Sequence, residues 1–248
     1  MKLVIPCAGR GTRLRPLTLD TPKSLINING KTILENLISL FKTFNFEEII
    51  IIVNYMKEKI MSKLGNSFYN IPIRYVEQKE LKGLAHAINL TKNFINDDFM
   101  VVLGDEIYLN TNHDEIINYF KKTHSDVVCG IMNEENPEII KKNYSVKLNG
   151  DNISEVIEKP TEVSEKIMGV GTWIFNKSIF DFIKQTPPSK LRNEIEIADV
   201  LQKMIQKGKN IKAFLLDGKY VNLNYYSDLN LVNDLMKGYN CSLNPVIE

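Results

Sequence analysis

The sequence predicts an α/β fold with a mainly parallel, mixed central sheet that is covered by helices. Up to residue 132, short apolar runs alternate with amphipathic stretches, which is the pattern of parallel strands joined by helices. After residue 132, three strand-like runs follow one another with little helix between them, which indicates antiparallel pairing. At 248 residues, 44% of them hydrophobic, the chain is long enough to form one large domain.

The spacing of apolar residues gives the order of the elements. Strands are predicted at 2–6, 48–53, 73–76, 99–103, 126–132, 144–148, 153–157 and 170–175. Helices are predicted at 32–44, 57–64, 83–94, 114–122, 177–185, 197–207 and 228–237. The first helix illustrates the argument, because Leu34, Leu37, Ile38 and Phe41 share one of its faces. The run 49–53 is apolar throughout, as expected of a strand that is buried on both sides.

Composition narrows the class of protein. The formal net charge is +1, so we expect no general electrostatic attraction to nucleic acid or to an anionic membrane. Cys7, Cys129 and Cys241 are odd in number and widely spaced, which indicates reduced thiols in a cytoplasmic protein. The longest apolar runs have the length of strands, and no N-terminal signal is visible. We therefore expect a soluble, cytoplasmic protein that is not bound to a membrane.

The first 25 residues are suited to binding a nucleoside triphosphate. The strand 2–6 leads into the glycine-rich stretch 7–12, whose backbone amides can approach an anion closely. Arg13, Arg15 and Lys23 add fixed positive charge. A dinucleotide-binding fingerprint is excluded because its third glycine is Leu14 here, and no Gly-Lys-Ser/Thr of a Walker loop follows. The alternative is an ordinary tight turn with solvated basic side chains.

Three further motifs carry polar groups at the ends of predicted strands. Asp105 follows an apolar strand and Gly104, where its carboxylate can hold Mg²⁺ against phosphate oxygens or serve in a turn. Gln78 offers both a donor and an acceptor to a pyrimidine edge, or is simply a polar residue at a strand end. Glu158 and Lys159 leave a strand on opposite faces, so strand periodicity requires at most one of them to face a pocket.

Together these motifs resemble the sugar-1-phosphate nucleotidyltransferases, in particular the glucose-1-phosphate thymidylyltransferase-like group. The resemblance extends over nearly the whole chain and rests on four motifs in order. They are Gly9-x-Gly11-Thr12-Arg13-Leu14-x-Pro16 with Pro22-Lys23, then Gln78 with Lys82-Gly83-Leu84-Ala85, then Leu103-Gly104-Asp105, and finally Glu158-Lys159-Pro160 with Gly171.

The resemblance implies a Rossmann-like three-layer fold in which residues 1–132 bind the nucleotide and residues 133–248 bind the acceptor. It implies catalytic roles for Arg13, Lys23 and Asp105, with Mg²⁺ as the cofactor held by Asp105 and Asn224. It also implies nucleotide contacts by Ala8, Gly9, Gly11, Thr12, Gln78 and Gly83, and acceptor contacts by Tyr144, Ser145, Glu158, Lys159 and Gly171. The expected partners are a nucleoside triphosphate and a small phosphorylated acceptor, and a homo-oligomer is possible.

The chain departs from the family pattern at three places. Asn222-Leu223-Asn224-Tyr225-Tyr226-Ser227 stands where Trp-x-Asp-x-Gly-Thr is usual, so Asn224 replaces a charged metal ligand. Ser145 replaces a glycine after Tyr144, and Glu106 replaces an asparagine after Asp105. No hexapeptide repeat follows, so the β-helical tail of some members is not expected.

Three functions remain open from the sequence. The first is transfer of a nucleotidyl group from dTTP or UTP to a sugar 1-phosphate. The second is a cytidylyltransferase that acts on a non-glucose or non-sugar phosphate, and the third is a nucleotide-binding regulatory module without catalysis.

Overall fold

A ten-stranded sheet forms the centre of the molecule. The computed structural model describes residues 1–190 and 192–240, with side chains up to residue 236. The strands are β1 (Lys2–Pro6), β2 (Asn27–Ile28), β3 (Lys31–Thr32), β4 (Ile49–Val53), β5 (Ser67–Phe68), β6 (Ile71–Glu77), β7 (Phe99–Val102), β8 (Glu106–Leu109), β9 (Val127–Asn133), β10 (Tyr144–Asn149), β11 (Asn152–Glu158), β12 (Ile167–Phe175), β13 (Ile211–Leu215) and β14 (Lys219–Asn222). The α-helices are α1 (Ile33–Ser39), α2 (Lys57–Leu64), α3 (Leu84–Asn89), α4 (His113–Thr123), α5 (Pro137–Ile140), α6 (Ile179–Gln185), α7 (Ile197–Gln206) and α8 (Tyr226–Asn240).

The order of strands in the large sheet is β10-β11-β13-β9-β12-β7-β1-β4-β6-β5. The pairing directions show that seven of these ten strands run the same way, and β11, β12 and β5 run against them. This confirms the predicted mainly parallel, mixed sheet. Small antiparallel sheets formed by β8 with β14 and by β2 with β3 lie apart from it.

Helices cover both faces of the sheet and create two core layers. Alternate residues of β1 point to opposite faces, so Val4 packs in one layer while Leu3 and Ile5 pack in the other. Helices α3, α6 and α7 contribute to the first layer, and α1, α2 and α4 contribute to the second. Each fully buried leucine or isoleucine stabilises the fold by roughly 1.5–3 kcal/mol. The three-layer arrangement is confirmed.

The longest elements agree with the sequence prediction, but two helices end early. A capping box between Thr32 and Glu35 starts α1, which ends at Ser39. Beyond it, Phe41, Phe44 and Phe46 pack against one another. Helix α3 ends at Asn89, and a short 3₁₀ turn at Lys92–Phe94 replaces its predicted second half.

Six strands were not predicted by the sequence analysis: β2, β3, β5, β8, β13 and β14. Of these, β13 joins β9 in parallel register, while β8 and β14 pair with each other. Strands β8 and β14 pack with α8 around a third small core that includes Leu14, Ile107 and Leu223. This places the C-terminal helix and the segment before it against the N-terminal loop.

Two of the three cysteines fall within the described residues, and both Cys7 and Cys129 are buried free thiols. Cys241 lies outside those residues. Within residues 1–190 and 192–240, no helix is long and apolar enough to span a bilayer. Strands from both sides of residue 132 are interleaved in the large sheet, since β12 lies between β9 and β7. The division of the chain at residue 132 stays a prediction.

Candidate active site

A cleft of about 470 Å³ opens at the carboxyl ends of β1 and β7. The two strands pair in parallel, so the segments that follow them meet at the same edge of the sheet. Ten of the residues predicted for the site line this cleft: Ala8, Gly9, Gly11, Thr12, Arg13, Lys23, Gln78, Gly83, Asp105 and Asn224. Residues that are more than 200 positions apart in the chain are thereby brought to one cavity.

The loop after β1 exposes its backbone to the cleft. Gly11 has φ +61°, and the Thr18 hydroxyl donates a hydrogen bond to its carbonyl oxygen at 2.7 Å. A Cβ at Gly11 would lie 3.1 Å from Thr18, so the fold at this position leaves little room for a side chain. A 3₁₀ turn follows at Thr12–Leu14, with Leu14 buried and Arg13 exposed. The loop thus presents amides and a free guanidinium, which is suited to binding phosphate.

Lys23 and Asp105 form an ion pair in the cleft, with Nζ and Oδ2 2.6 Å apart. The Lys23 side chain is only 10% exposed, whereas that of Asp105 is 37% exposed. Asp105 is brought here by Gly104, whose amide donates to the Pro6 carbonyl oxygen and whose added Cβ would lie 2.2 Å from the Cys7 Sγ. Glycine is therefore required for this close approach of the two strand ends.

Gln78 and Gly83 lie together in the cleft lining. The Gln78 amide nitrogen Nε2 donates to the Gly83 carbonyl oxygen at 3.2 Å. Gly83 has φ +99°, and a Cβ there would lie 2.7 Å and 2.8 Å from the backbone oxygen and nitrogen of Ile195. The close approach that Gly83 permits in the structure is therefore to the backbone of Ile195.

The donor set in the cleft fits Mg²⁺ shared with phosphate oxygens. Asp105 supplies one carboxylate and Asn224 supplies an amide, while no cluster of three or more histidine, cysteine or acidic side chains with metal-binding geometry occurs among the described residues. Mg²⁺ is typically held by one or two carboxylates, phosphates and water rather than by an all-protein cage. The Asn224 amide N–H donates to Asp228 at 2.7 Å, and its side-chain nitrogen donates to the Asn222 carbonyl oxygen at 3.4 Å. The side-chain oxygen of Asn224 forms no hydrogen bond among the residues that the structure describes, so it is available to a metal ion.

The five predicted acceptor residues do not line the cleft. Tyr144 is buried, its hydroxyl accepts from the Trp173 indole N–H at 3.0 Å, and its ring fills the space above Gly169. Ser145 is buried beside it in β10. Gly171 is also buried, and its amide donates to the Glu106 carboxylate at 3.0 Å. Direct contact of these residues with an acceptor stays a prediction.

Glu158 and Lys159 pair with each other, their closest atoms 3.3 Å apart. The expectation that their side chains point to opposite faces is wrong, because β11 ends at Glu158 and Lys159 adopts φ +43°. Burial raises the pKa of the Glu158 carboxyl, and the positive charges of Lys159 and Arg192 oppose that shift.

Arg192 was missed by the sequence analysis. It pairs with Glu196 at 3.3 Å, and Glu194, two residues from each, lines the cleft. Burial raises the pKa of Glu196, the nearby charge of Glu158 raises it further, and Arg192 and Lys159 oppose the shift. We call Glu158, Lys159, Arg192 and Glu196 the charged cluster, because their charges influence one another. None of the four lines the cleft, whereas Glu194, which lies between two of them in the chain, does. The sequence signal for this ion pair was the four-residue spacing of Arg192 and Glu196, but opposite charges at this spacing are common on protein surfaces.

Glu106 is a second residue whose environment the sequence did not reveal. Its buried carboxylate accepts from the Tyr108 hydroxyl at 2.5 Å, the Tyr220 hydroxyl at 2.7 Å and the Gly171 amide. Burial raises the pKa of Glu106 to about 7, and the neighbouring charge of Asp105 adds to the shift. A Cβ at Gly171 would lie 2.4 Å from this carboxylate, which explains why glycine occupies that position. The network anchors the segment that carries Asp105.

Comparison with known proteins agrees with this geometry. The sequence model of the nucleotidyl transferase family matches residues 2–242. The chain is 33% identical over 228 residues to the UTP–glucose-1-phosphate uridylyltransferase AglF of Haloferax volcanii, covering 92% of this chain and 93% of that protein. The chain is 36% identical over 251 aligned positions to the bifunctional protein GlmU of Methanococcus maripaludis. That alignment covers all of this chain and 56% of GlmU.

Among solved structures, UDP-glucose pyrophosphorylase in complex with UDP-glucose superimposes with a TM-score of 0.84 at 24% identity. The superposition covers 96% of this chain and 98% of that one, so the overall fold is shared. The sequence match over nearly the full chain, together with the glycine loop and Lys23–Asp105 at one cleft, identifies this protein as a member of the nucleotidyl transferase family.

Proposed function

We propose that this protein transfers a nucleotidyl group from a nucleoside triphosphate to a sugar 1-phosphate, releasing pyrophosphate and an NDP-sugar. The observation that carries the proposal is the convergence of Arg13, Lys23 and Asp105 on a cleft that Gln78 and Gly83 also line. The cations suit a triphosphate, and the Gln78 amide suits its base. The relation to a uridylyltransferase supports UTP or dTTP as the donor.

The reaction requires two polyanions to meet and charge to be stabilised at the α-phosphate and at the departing pyrophosphate. Arg13 is exposed at the cleft and suited to bidentate contact with phosphate oxygens. Lys23 is held in place by Asp105 and supplies a compact positive charge. We propose Mg²⁺ as the ion held by Asp105 and Asn224, where it would neutralise triphosphate charge.

The charged cluster is the best candidate for the acceptor phosphate. Lys159 and Arg192 provide two positive charges, each paired with a glutamate in this conformation, and Arg192 is two residues from the cleft-lining Glu194. A sugar phosphate can exchange those pairs for charge-assisted bonds to its own oxygens. In this proposal Lys159 and Arg192 orient the attacking phosphate, and Glu158 is available for a sugar hydroxyl.

A second candidate is a cytidylyltransferase that acts on a non-glucose or non-sugar phosphate. It is favoured by Ser145 and by the segment 222–227, where the chain departs from the pattern of glucose-specific relatives. A nucleotide-binding module without catalysis is a third, motivated by the uncharged Asn224 alone. We further propose a cytoplasmic location, since both described cysteines are free thiols.

The test is a pyrophosphate-release assay in which dTTP, UTP, CTP, GTP and ATP are each combined with a panel of phosphorylated sugars, polyols and amino alcohols. We expect release with UTP or dTTP and a sugar 1-phosphate, and none without an acceptor. Release only with CTP and a non-sugar phosphate would support the second candidate. Nucleotide binding without release for any pair would leave the third.

A further inference from the structure

We propose that His86 is a positioning residue that sets base specificity. It holds the Gln78 side chain so that Gln78 Nε2 points into the fold and only Gln78 Oε1 faces the base. This inference rests on the proposed function and deepens it, since it names the class of base that the cleft accepts. His86 itself does not line the cleft, so its effect is exerted through Gln78.

Gln78 has little freedom within the fold. Its backbone amide donates to the Val53 carbonyl oxygen at 2.9 Å, and its own carbonyl oxygen accepts from the Asn54 side chain at 2.5 Å. Gln78 is only 4% exposed. Its Nε2 forms hydrogen bonds with the Gly83 carbonyl oxygen and with His86 Nδ1, each at 3.2 Å. Among its polar atoms, only Oε1 forms no hydrogen bond within the described residues.

The amide orientation follows from the chemistry of its two partners. The Gly83 carbonyl oxygen only accepts, so the Gln78 atom that faces it must be the nitrogen. Because that nitrogen only donates, His86 Nδ1 must accept, and the imidazole carries its proton on Nε2. His86 thus adds a second acceptor that a turned amide would face with its oxygen.

His86 is suited to this role because it is neutral. Burial lowers its pKa, the positive charge of Lys82 lowers it further, and Glu80 opposes the shift. The backbone around Gly83 is also fixed, since Ile195 donates to the Lys82 carbonyl oxygen at 2.9 Å and accepts from the Ala85 amide at 3.1 Å. The Gly83 acceptor of the Gln78 amide nitrogen is therefore held in place.

A single fixed acceptor selects among the pyrimidines. Uracil and thymine carry an N3–H donor on the edge that pairs, whereas cytosine carries an unprotonated N3 acceptor at the same position. In the same pose, cytosine N3 would face the Gln78 Oε1 without a hydrogen, and both atoms would lose their bonds with water. The site therefore favours bases with an N3–H, and turning the Gln78 amide would remove that preference.

The test compares His86→Leu with His86→Asn. Leucine removes the Nδ1 acceptor, while asparagine can place its Oδ1 near the same position and is the matched control. Binding of UTP, dTTP and CTP is measured by calorimetry, and KM and kcat are measured for the accepted nucleotide. We expect the Leu variant to lose roughly tenfold of its preference for UTP over CTP, with kcat within about twofold, since one of two acceptors is lost. We expect the Asn variant to retain most of the preference.

The pH profile of the unaltered protein gives a second readout, with the Asn variant as its control. When His86 gains a proton, Nδ1 becomes a donor and repels the Gln78 nitrogen, so the preference of the unaltered protein for UTP should decrease as the pH falls. The Asn variant should not show this decrease.

Unchanged base preference in the Leu variant, or a wild-type preference for CTP, would overturn the proposal. An equal loss of UTP and CTP binding would also overturn it, because it would indicate a structural role only. If no acceptor supports turnover, the proposed function fails, while the calorimetric preference still decides whether His86 sets the base.

Discussion

The proposed nucleotide site and the proposed acceptor site, which we call the nucleotide end and the acceptor end, are built in different ways. The nucleotide end lines the cleft, and its glycines allow segments of the chain to approach closely, as at Gly83 against Ile195 and at Gly104 against Pro6 and Cys7. The acceptor end is the charged cluster, which consists of long side chains that pair with one another, as in Glu158–Lys159 and Arg192–Glu196. The first arrangement is fixed by the backbone, whereas binding of a ligand to the second would require the ion pairs to exchange partners.

This difference implies different tolerance of substitution. Where backbone segments are in close contact, an added side chain collides with backbone atoms, which cannot rotate away, and the local fold is disturbed. Partly exposed ion pairs contribute little to stability, typically about 0–1 kcal/mol, so the charged cluster can change without loss of the fold. Nucleotide binding should therefore be coupled to stability, and acceptor binding should be largely independent of it.

The largest effect is expected at the cations of the nucleotide end. Arg13→Ala and Lys23→Ala should each lower kcat by roughly 10²- to 10³-fold, by analogy with the loss of one preorganised donor to a developing charge. Steady-state kinetics with saturating acceptor would measure the loss. Lys121→Ala is the matched control, because Lys121 is an exposed lysine on α4 that does not line the cleft.

Folding of each variant is checked by circular dichroism and thermal unfolding. Near-normal turnover in both the Arg13 and the Lys23 variants would contradict the proposed catalytic assignment. A comparable loss in the Lys121 variant would show that general charge, rather than position, controls the rate.

A smaller effect is expected at the charged cluster, and it should be confined to one substrate. Lys159→Ala should raise the KM for the sugar phosphate by about 10- to 100-fold, since one charge-assisted contact is lost, and leave the KM for the nucleotide nearly unchanged. The unfolding temperature should shift by little, because the Lys159–Glu158 pair is partly exposed. Lys147→Ala, an exposed lysine on the neighbouring strand β10, serves as the control.

An equal rise of the KM for the nucleotide and the KM for the sugar phosphate would show that Lys159 affects binding of both substrates. The distinction between the nucleotide end and the acceptor end would then fail.

The sequence predicted the residues that line the cleft better than the contacts of the charged cluster, for a physical reason. Close backbone approach requires glycine, and glycines can be recognised in the sequence. Gly11 precedes Arg13 by two positions, and Gly104 directly precedes Asp105. Long elements such as α2 and β4 were also predicted closely, because hydrophobic periodicity accumulates over their length. These signals are local in the chain.

The missed features depend on partners that are distant in sequence. Glu106 is bound by Gly171 and Tyr220, which are 65 and 114 positions away, and no local pattern announces such contacts. Strands β8 and β14 are four residues long and mix polar with apolar side chains, so only their mutual pairing reveals them as strands. Tyr144 was expected at the acceptor, but it fills the core over Gly169, a contact that only the folded chain creates.

The sharpest test of the contrast is a pair of glycine substitutions at positive φ. Gly83 has φ +99° and Gly208 has φ +73°, so alanine is strained at both positions. Only at Gly83 would the new Cβ collide, at 2.7 Å and 2.8 Å from the Ile195 backbone, whereas nothing lies within 4 Å of a Cβ at Gly208. The difference between the two effects therefore measures the collision together with the added strain of Gly83, whose ψ of 173° places it in a region that essentially only glycine adopts.

We expect Gly83→Ala to lower the free energy of unfolding by about 1 kcal/mol more than Gly208→Ala, at the lower end of the range for overpacking because a loop can shift. We also expect it to raise the KM for the nucleotide about fivefold, since the Gly83 carbonyl that orients Gln78 moves with the loop. Urea unfolding and steady-state kinetics on both variants would measure these changes. Equal effects on stability, with an unchanged KM, would mean that the nucleotide end tolerates added side chains and is not fixed by its backbone.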